Sequence, residues 1–366
     1  MQKIYYNNIS FLKIIFTLQI LYGHIMQHYI MSQFVEFSFY KKLFKYTSYN
    51  YGILCEMFFI ISGYFLFKEL EKYNFKELII KKIIRLWPVL FFSVLFAYIL
   101  SRFSIAPWYH LNVIPELLFL NNSMISRIPS VTGVAWYINS MFYSIILYYI
   151  IYKLSDKNKF IYINSLIVFI AYSILFNKNY LYNEPIVYYD LFTFMLIRAI
   201  AGVGFGMLLY QANINIKINN KLQYFIFGIL ELILIVTIII YTSILTTKFA
   251  FPILLILFVV LFLLFINKVG FFSNLINKKC FSFMDKYTYP TYIMQWFIFY
   301  IFNKFVWHND KIGATRYPIL NIVFPILACC ILGIITYYIV ENIVKIIKDQ
   351  TRPDQTRPDQ TRPDQQ

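Results

Sequence analysis

The sequence predicts an all-α polytopic membrane protein with about ten transmembrane helices, and three observations carry that prediction. The chain is 60% hydrophobic and 21% aromatic but only 14% charged, a composition far more apolar than that of a soluble domain. Apolar runs long enough for a ~30 Å hydrocarbon core recur at about 9–31, 51–67, 79–101, 134–153, 160–176, 190–211, 222–244, 250–267, 288–306 and 318–343. The basic residues, which give a net charge of +16, fall in short runs between those segments. Membrane loops carry charge in this way, whereas a nucleic-acid-binding surface gathers it into one patch.

The first run follows MQKIYYNNIS, contains Gln19 and His24, and lacks a small-residue cleavage site, so it reads as a retained helix and not a signal peptide. An even number of spans puts both termini on one side. The richer set of loop cations, including Lys68, Lys72, Lys81, Lys153, Lys278 and Lys279, makes that side cytoplasmic. The long outer connection from Arg102 to Gly133 holds Pro107, Pro115 and Pro129 with an apolar patch at Leu117 to Leu120, and is expected to form a re-entrant or surface segment. GVGFG at Gly202 to Gly206 has neither the spacing nor the preceding strand of a nucleotide fingerprint and reads as a close-packing face. Cys55, Cys280, Cys329 and Cys330 form no CxxC and have no histidine at ligand spacing, so they read as small core residues. Residues 1–348 form one domain, and 349–366, with TRPDQ three times over, is expected to be a disordered tail because it has no apolar residue.

Chemistry is concentrated in Phe11 to Met26 of the first run, where Lys13 and His24 are the groups able to carry charge. At 100° per residue they share one helix face, roughly 16 Å apart along the axis. An ionisable side chain inside a membrane span is costly and marks a functional site by default. Three further stretches stand with it: FFIISG at Phe58 to Gly63, KIIR at Lys82 to Arg85 followed by Pro88, and YYIVEN around Glu341. Together these resemble the membrane-bound acyltransferase 3 family, bacterial ten-helix proteins that O-acylate glycans using acyl-CoA. The family's first-helix pattern of a basic residue, ten positions and a histidine is matched by Lys13 and His24, with Lys in place of Arg. FFIISG matches the second-helix motif, Lys82 and Arg85 the third with Lys82 for Arg, and WYINSMFYSIIL at Trp136 to Leu147 looks like the fourth helix. Two departures stand out: Lys13 lacks the two-pronged guanidinium, and YPTYIMQW has Gln295 where many relatives have His.

The resemblance implies an integral membrane O-acyltransferase of the bacterial cytoplasmic membrane. It would move an acyl group, acetyl being favoured, from acetyl-CoA to a sugar hydroxyl of a cell-surface or lipid-linked glycan. O-acylation needs a base for the attacking hydroxyl, and the imidazole of His24 suits that work at neutral pH. Glu56 enters the second helix at a matching depth, where it either bonds the imidazole or faces the aqueous mouth. Lys13, Lys82 and Arg85, with Trp87 as an aromatic platform, would hold the phosphates and adenine of the donor. Glu341 would support them by pairing with Lys13 or Arg85. Ser62 and Gly63 offer a hydrogen bond and a close helix contact.

Arg198 and Glu231, at similar depths, are expected to pair with each other. His24 and His28 have the spacing of a metal pair, but no acid or thiol completes the set, so no metal is expected. Lipids, acyl-CoA and the glycan acceptor are the expected partners; nucleic acid is not, and the oligomeric state is open. The rival reading is a proton-coupled transporter or flippase of a glycan precursor, with His24 and Glu56 as relay. It lacks the internal repeat such proteins carry.

Overall fold

The computed structural model describes residues 6–31, 51–108, 110–121, 130–178, 194–244, 250–307 and 318–350. In chain order its helices are α1 Asn7–Met31, α2 Leu54–Lys72, α3 Phe75–Arg102, α4 His110–Leu117, α5 Trp136–Leu154, α6 Lys157–Lys178 and α7 Phe194–Ala212. They continue with α8 Lys221–Ile244, α9 Ala250–Asn267, α10 Phe271–Leu275, α11 Lys279–Asp285, α12 Thr288–Phe302 and α13 Pro318–Gln350. A 3-10 turn at Tyr51–Ile53 leads into α2, and a π turn at Asn303–Trp307 prolongs α12. No β-strand occurs among the described residues, so the chain is all-α and polytopic. The TRPDQ repeats lie outside the described residues.

Each apolar run read from the sequence coincides with a helix. By length and composition six of these are able to cross a membrane, within Asn7–His28, Phe75–Arg102, Lys157–Phe176, Phe194–Ala212, Lys221–Thr242 and Ile319–Ile347. The other four fall short for identifiable reasons: α2 carries five ionisable side chains beyond its first turn or within it, α5 is rich in tyrosine, and α9 and α12 are shorter.

Local chemistry sets the helix ends. Asn74 and Glu77 form a reciprocal capping box at the start of α3, each side chain accepting the other's backbone N–H at 2.9 and 3.1 Å. Asp156 accepts from Lys159 N at 2.9 Å to start α6, and Asn220 from Gln223 N at 2.8 Å to start α8. The most extensive helix pair is α2 with α7. A Cβ at Gly63 would overlap the Val203 carbonyl, and one at Gly206 the Ile60 carbonyl. Small residues thus bring the FFIISG and GVGFG stretches backbone to backbone, which is how helices associate where lipid supplies no hydrophobic drive.

The described part of the connection after α3 folds back along that helix. Trp108 packs on Tyr98 near the end of α3, with centroids 5.1 Å apart. Trp87, roughly 16 Å back along that helix, donates from Nε1 to Leu117 O at 3.0 Å. At the turn the buried Glu116 accepts from Val131 N, Thr132 N, Thr132 Oγ1, Ser130 Oγ and Asn121 Nδ2. Five donors replace the water that a carboxylate loses on burial. Glu116 therefore ties the descending and returning strands of the loop together.

Candidate functional site

Five helices, α1, α2, α3, α5 and α12, surround a cavity of about 200 Å³, which Asp285 at the end of α11 also lines. Each contributes one stripe. On α1 the stripe is Lys13, Thr17 and Ile20, at spacings of four and three residues, and His24 continues it one turn beyond the cavity's lining. On α2 Cys55, Ser62 and Glu69 repeat at heptad spacing. Lys82, Arg85 and Leu86 come from α3, Tyr137 and Met141 from α5, and Thr288, Tyr289 and Tyr292 from α12. One end is ionic, and the other closes over Ile20, Cys55 and Tyr292 toward His24.

At the ionic end Lys13 pairs with Asp285, which also accepts from Ser10 Oγ at 3.1 Å and Thr288 Oγ1 at 3.3 Å. Lys81 and Lys82 share the two oxygens of Glu69, the former at 2.6 Å. Arg85 lines the cavity and has no carboxylate partner among the described residues. Trp87 stands apart from this end, stacked on Phe91 and bonded to Leu117. The aromatic residue beside the cluster is instead Tyr73, whose ring lies 5.0 Å from Lys72 Nζ and 4.5 Å from Lys81 Nζ. The hydrogen bond from Lys72 and the charge of Lys81 hold its phenol below the ordinary value.

At the other end Tyr51 Oη lies 3.0 Å from His24 Nδ1. Trp296 meets the imidazole edge to face at 5.7 Å, and Phe299 flanks it at 6.2 Å. His28 packs on Trp296 at 4.7 Å. Among the described residues no group of three or more His, Cys, Asp or Glu side chains is placed to hold a metal ion.

Three expected pairings are corrected. Glu56 neither bonds His24 nor faces an aqueous mouth: it is 1% exposed and accepts from Arg198 Nε at 2.7 Å, because the α2–α7 contact brings that guanidinium to it. Arg198 therefore does not pair with Glu231. That carboxylate accepts from Gly270 N at 3.1 Å and Ser273 N at 2.8 Å, capping the orphan donors at the start of α10. Glu341 is exposed and accepts from Tyr337 Oη at 3.0 Å, with no bond to Lys13 or Arg85, since Asp285 already holds Lys13. Ser62 lines the cavity and Gly63 makes the helix contact expected of it. Asp285 and Tyr51 were missed by sequence reasoning. Asp285 carried a faint signal, as an acid just ahead of the α12 run; Tyr51 carried none in a chain with 33 tyrosines.

The described helices form a membrane-type bundle holding a cavity with a cationic mouth and a histidine beyond its far end. The sequence profile of the acyltransferase 3 family, an acyltransferase domain, matches residues 6–341, and the chain belongs to that family. It is a multi-pass membrane acyltransferase. No curated protein and no solved structure matches it.

Proposed function

We propose that the protein transfers an acyl group, acetyl being the favoured one, from cytoplasmic acyl-CoA to a hydroxyl of a cell-surface or lipid-linked glycan. Its place would be the bacterial cytoplasmic membrane, with both termini cytoplasmic. The observation that carries this reading is the single α1 stripe that sets Lys13 at the ionic mouth and His24 beyond the closed end of the same cavity. Arg85 and Lys82 suit the donor's phosphates, Arg85 above all, because no carboxylate among the described residues balances its charge. The phenolic and apolar walls from Tyr289, Tyr292, Tyr137 and Ile20 suit a long, uncharged thioester arm.

In the reaction His24 takes the proton of the acceptor hydroxyl as its oxygen attacks the thioester carbonyl. The C–S bond then breaks, and coenzyme A leaves as the thiol with the proton that the imidazolium returns. Gln295 is fully buried, with both amide atoms unpartnered among the described residues. It stands on the α12 face of Thr288, Tyr292 and Phe299, and supplies an N–H donor for the transient oxyanion. Lys13, Lys82 and Arg85 bind the donor, Ser62 forms part of the wall, Gly63 lets α2 close on α7 behind it, and Glu56 acts at a distance through Arg198.

Mass spectrometry of surface glycans from cells with and without the protein tests this. The expected result is the mass increment of one acyl group on a sugar, present only with the protein. An abundant, inserted protein that leaves every glycan mass unchanged contradicts it.

A further inference from the structure

The hydroxyl of Tyr51 faces two groups at once: it donates to Gln27 Oε1 and lies 3.0 Å from His24 Nδ1. A phenol has one proton to give, and an amide oxygen only accepts, so that proton is committed to Gln27. The contact with His24 then requires a hydrogen from the ring, Nδ1–H donating to the Tyr51 oxygen. A neutral imidazole has one ring proton. Its Nε2 is left with a lone pair, and nothing among the described residues bonds that atom.

The surrounding fold holds this arrangement in place. Gln27 follows His24 by one turn on α1, while Tyr51 arrives from the turn that opens α2. Its side chain packs against Gly23, where any Cβ would overlap Tyr51 Cβ, Cγ and Cδ1. The carbonyl of Gly52, the residue after Tyr51, is held by Arg198, which donates to it from Nη2 at 2.9 Å while its Nε holds Glu56 at 2.7 Å. The ion pair that does not reach His24 thereby fixes the turn that presents Tyr51 to it.

We propose that Tyr51 and Gln27 are positioning residues that set His24 in the Nδ1–H tautomer, so that Nε2 is the base presented to the acceptor hydroxyl. The catalytic meaning rests on the acyltransfer reading above; the tautomer assignment does not. In a Ser-His-Asp triad the wrong tautomer costs about 10⁴ in kcat. A neutral phenol is a weaker orienting partner than a carboxylate, so a loss on the order of 10²-fold is expected here, within the range for general-base catalysis.

The experiment is nitrogen NMR of the full chain in lipid bilayers with nitrogen-15 histidine, of which there are 4, with His24 assigned from the signals missing in His24→Gln. Wild type should show His24 protonated at Nδ1 and bare at Nε2. Gln27→Met frees the Tyr51 proton for Nδ1 and should move the ring toward the Nε2–H form. Gln27→Glu keeps an acceptor oxygen and should restore the wild-type pattern. Tyr51→Phe and Gln27→Met should lower kcat on the order of 10²-fold with KM for acyl-CoA unchanged. An Nε2–H form in wild type, or an unchanged ring in Gln27→Met, overturns the proposal. The expected tautomers in a protein that transfers no acyl group would instead leave the assignment standing and remove the acyltransfer reading.

Discussion

Arg198 and Glu56 meet at 2.7 Å across 142 positions of sequence, both almost wholly buried, at the contact between α2 and α7. Among the described residues Glu56 Oε2 has no further partner, so there the carboxylate depends on that one guanidinium. Removing one member of a buried pair leaves an uncompensated charge and costs about 3–5 kcal/mol. Arg198→Ala is therefore expected to lower the thermal stability of the purified protein sharply. Arg198→Met combined with Glu56→Leu, which leaves no charge behind, should recover most of it. A single variant as stable as wild type would show that the pair contributes little.

The ionic mouth separates paired from unpaired cations. Lys81 and Lys82 share the single carboxylate of Glu69, whereas Arg85 has no carboxylate partner among the described residues. Arg85→Ala should raise KM for acyl-CoA with kcat nearly unchanged, the pattern of a contact made equally in ground and transition states. Lys81→Ala should have a smaller effect. Equal effects in steady-state kinetics would assign the cluster to general charge and not to a specific contact.

Ile20 sits between the cavity and His24 on the same α1 stripe. Ile20→Trp is expected to fill the closed end and stop transfer while acyl-CoA still binds at the mouth. Titration of binding alongside turnover checks this; full turnover in a folded Ile20→Trp protein would place the route to His24 elsewhere.

How much of this was legible follows from what a helix pattern encodes. The apolar runs gave the helices, and the small residues at Gly63 and Gly206 gave the closest contact, because span length and side-chain size are local properties. The shared face of α1 was legible too: Lys13, which lines the cavity, and His24, one turn past its lining, fall on the one stripe that helix periodicity predicts. Partner choice was not. Span positions alone put Arg198 and Glu231 at similar depths, but α7 packs chiefly on α2, α6 and α5, so Arg198 meets Glu56. Which neighbour a helix faces depends on the whole bundle. Asp285 illustrates the other gap, since it lies in the short helix before α12, outside any span, yet it balances the charge of Lys13.

The central claim is that His24 transfers a proton. His24→Gln keeps a similar volume and a hydrogen-bonding amide but cannot take a proton at neutral pH, so it separates catalysis from packing. The decisive measurement is the rate of acyl transfer from acyl-CoA to glycan by this variant, normalised to inserted protein. Loss of a general base lowers the rate by about 10² to 10⁴, which the account predicts at unchanged abundance. A Gln variant that acylates near the wild-type rate would make His24 a structural residue and contradict the mechanism.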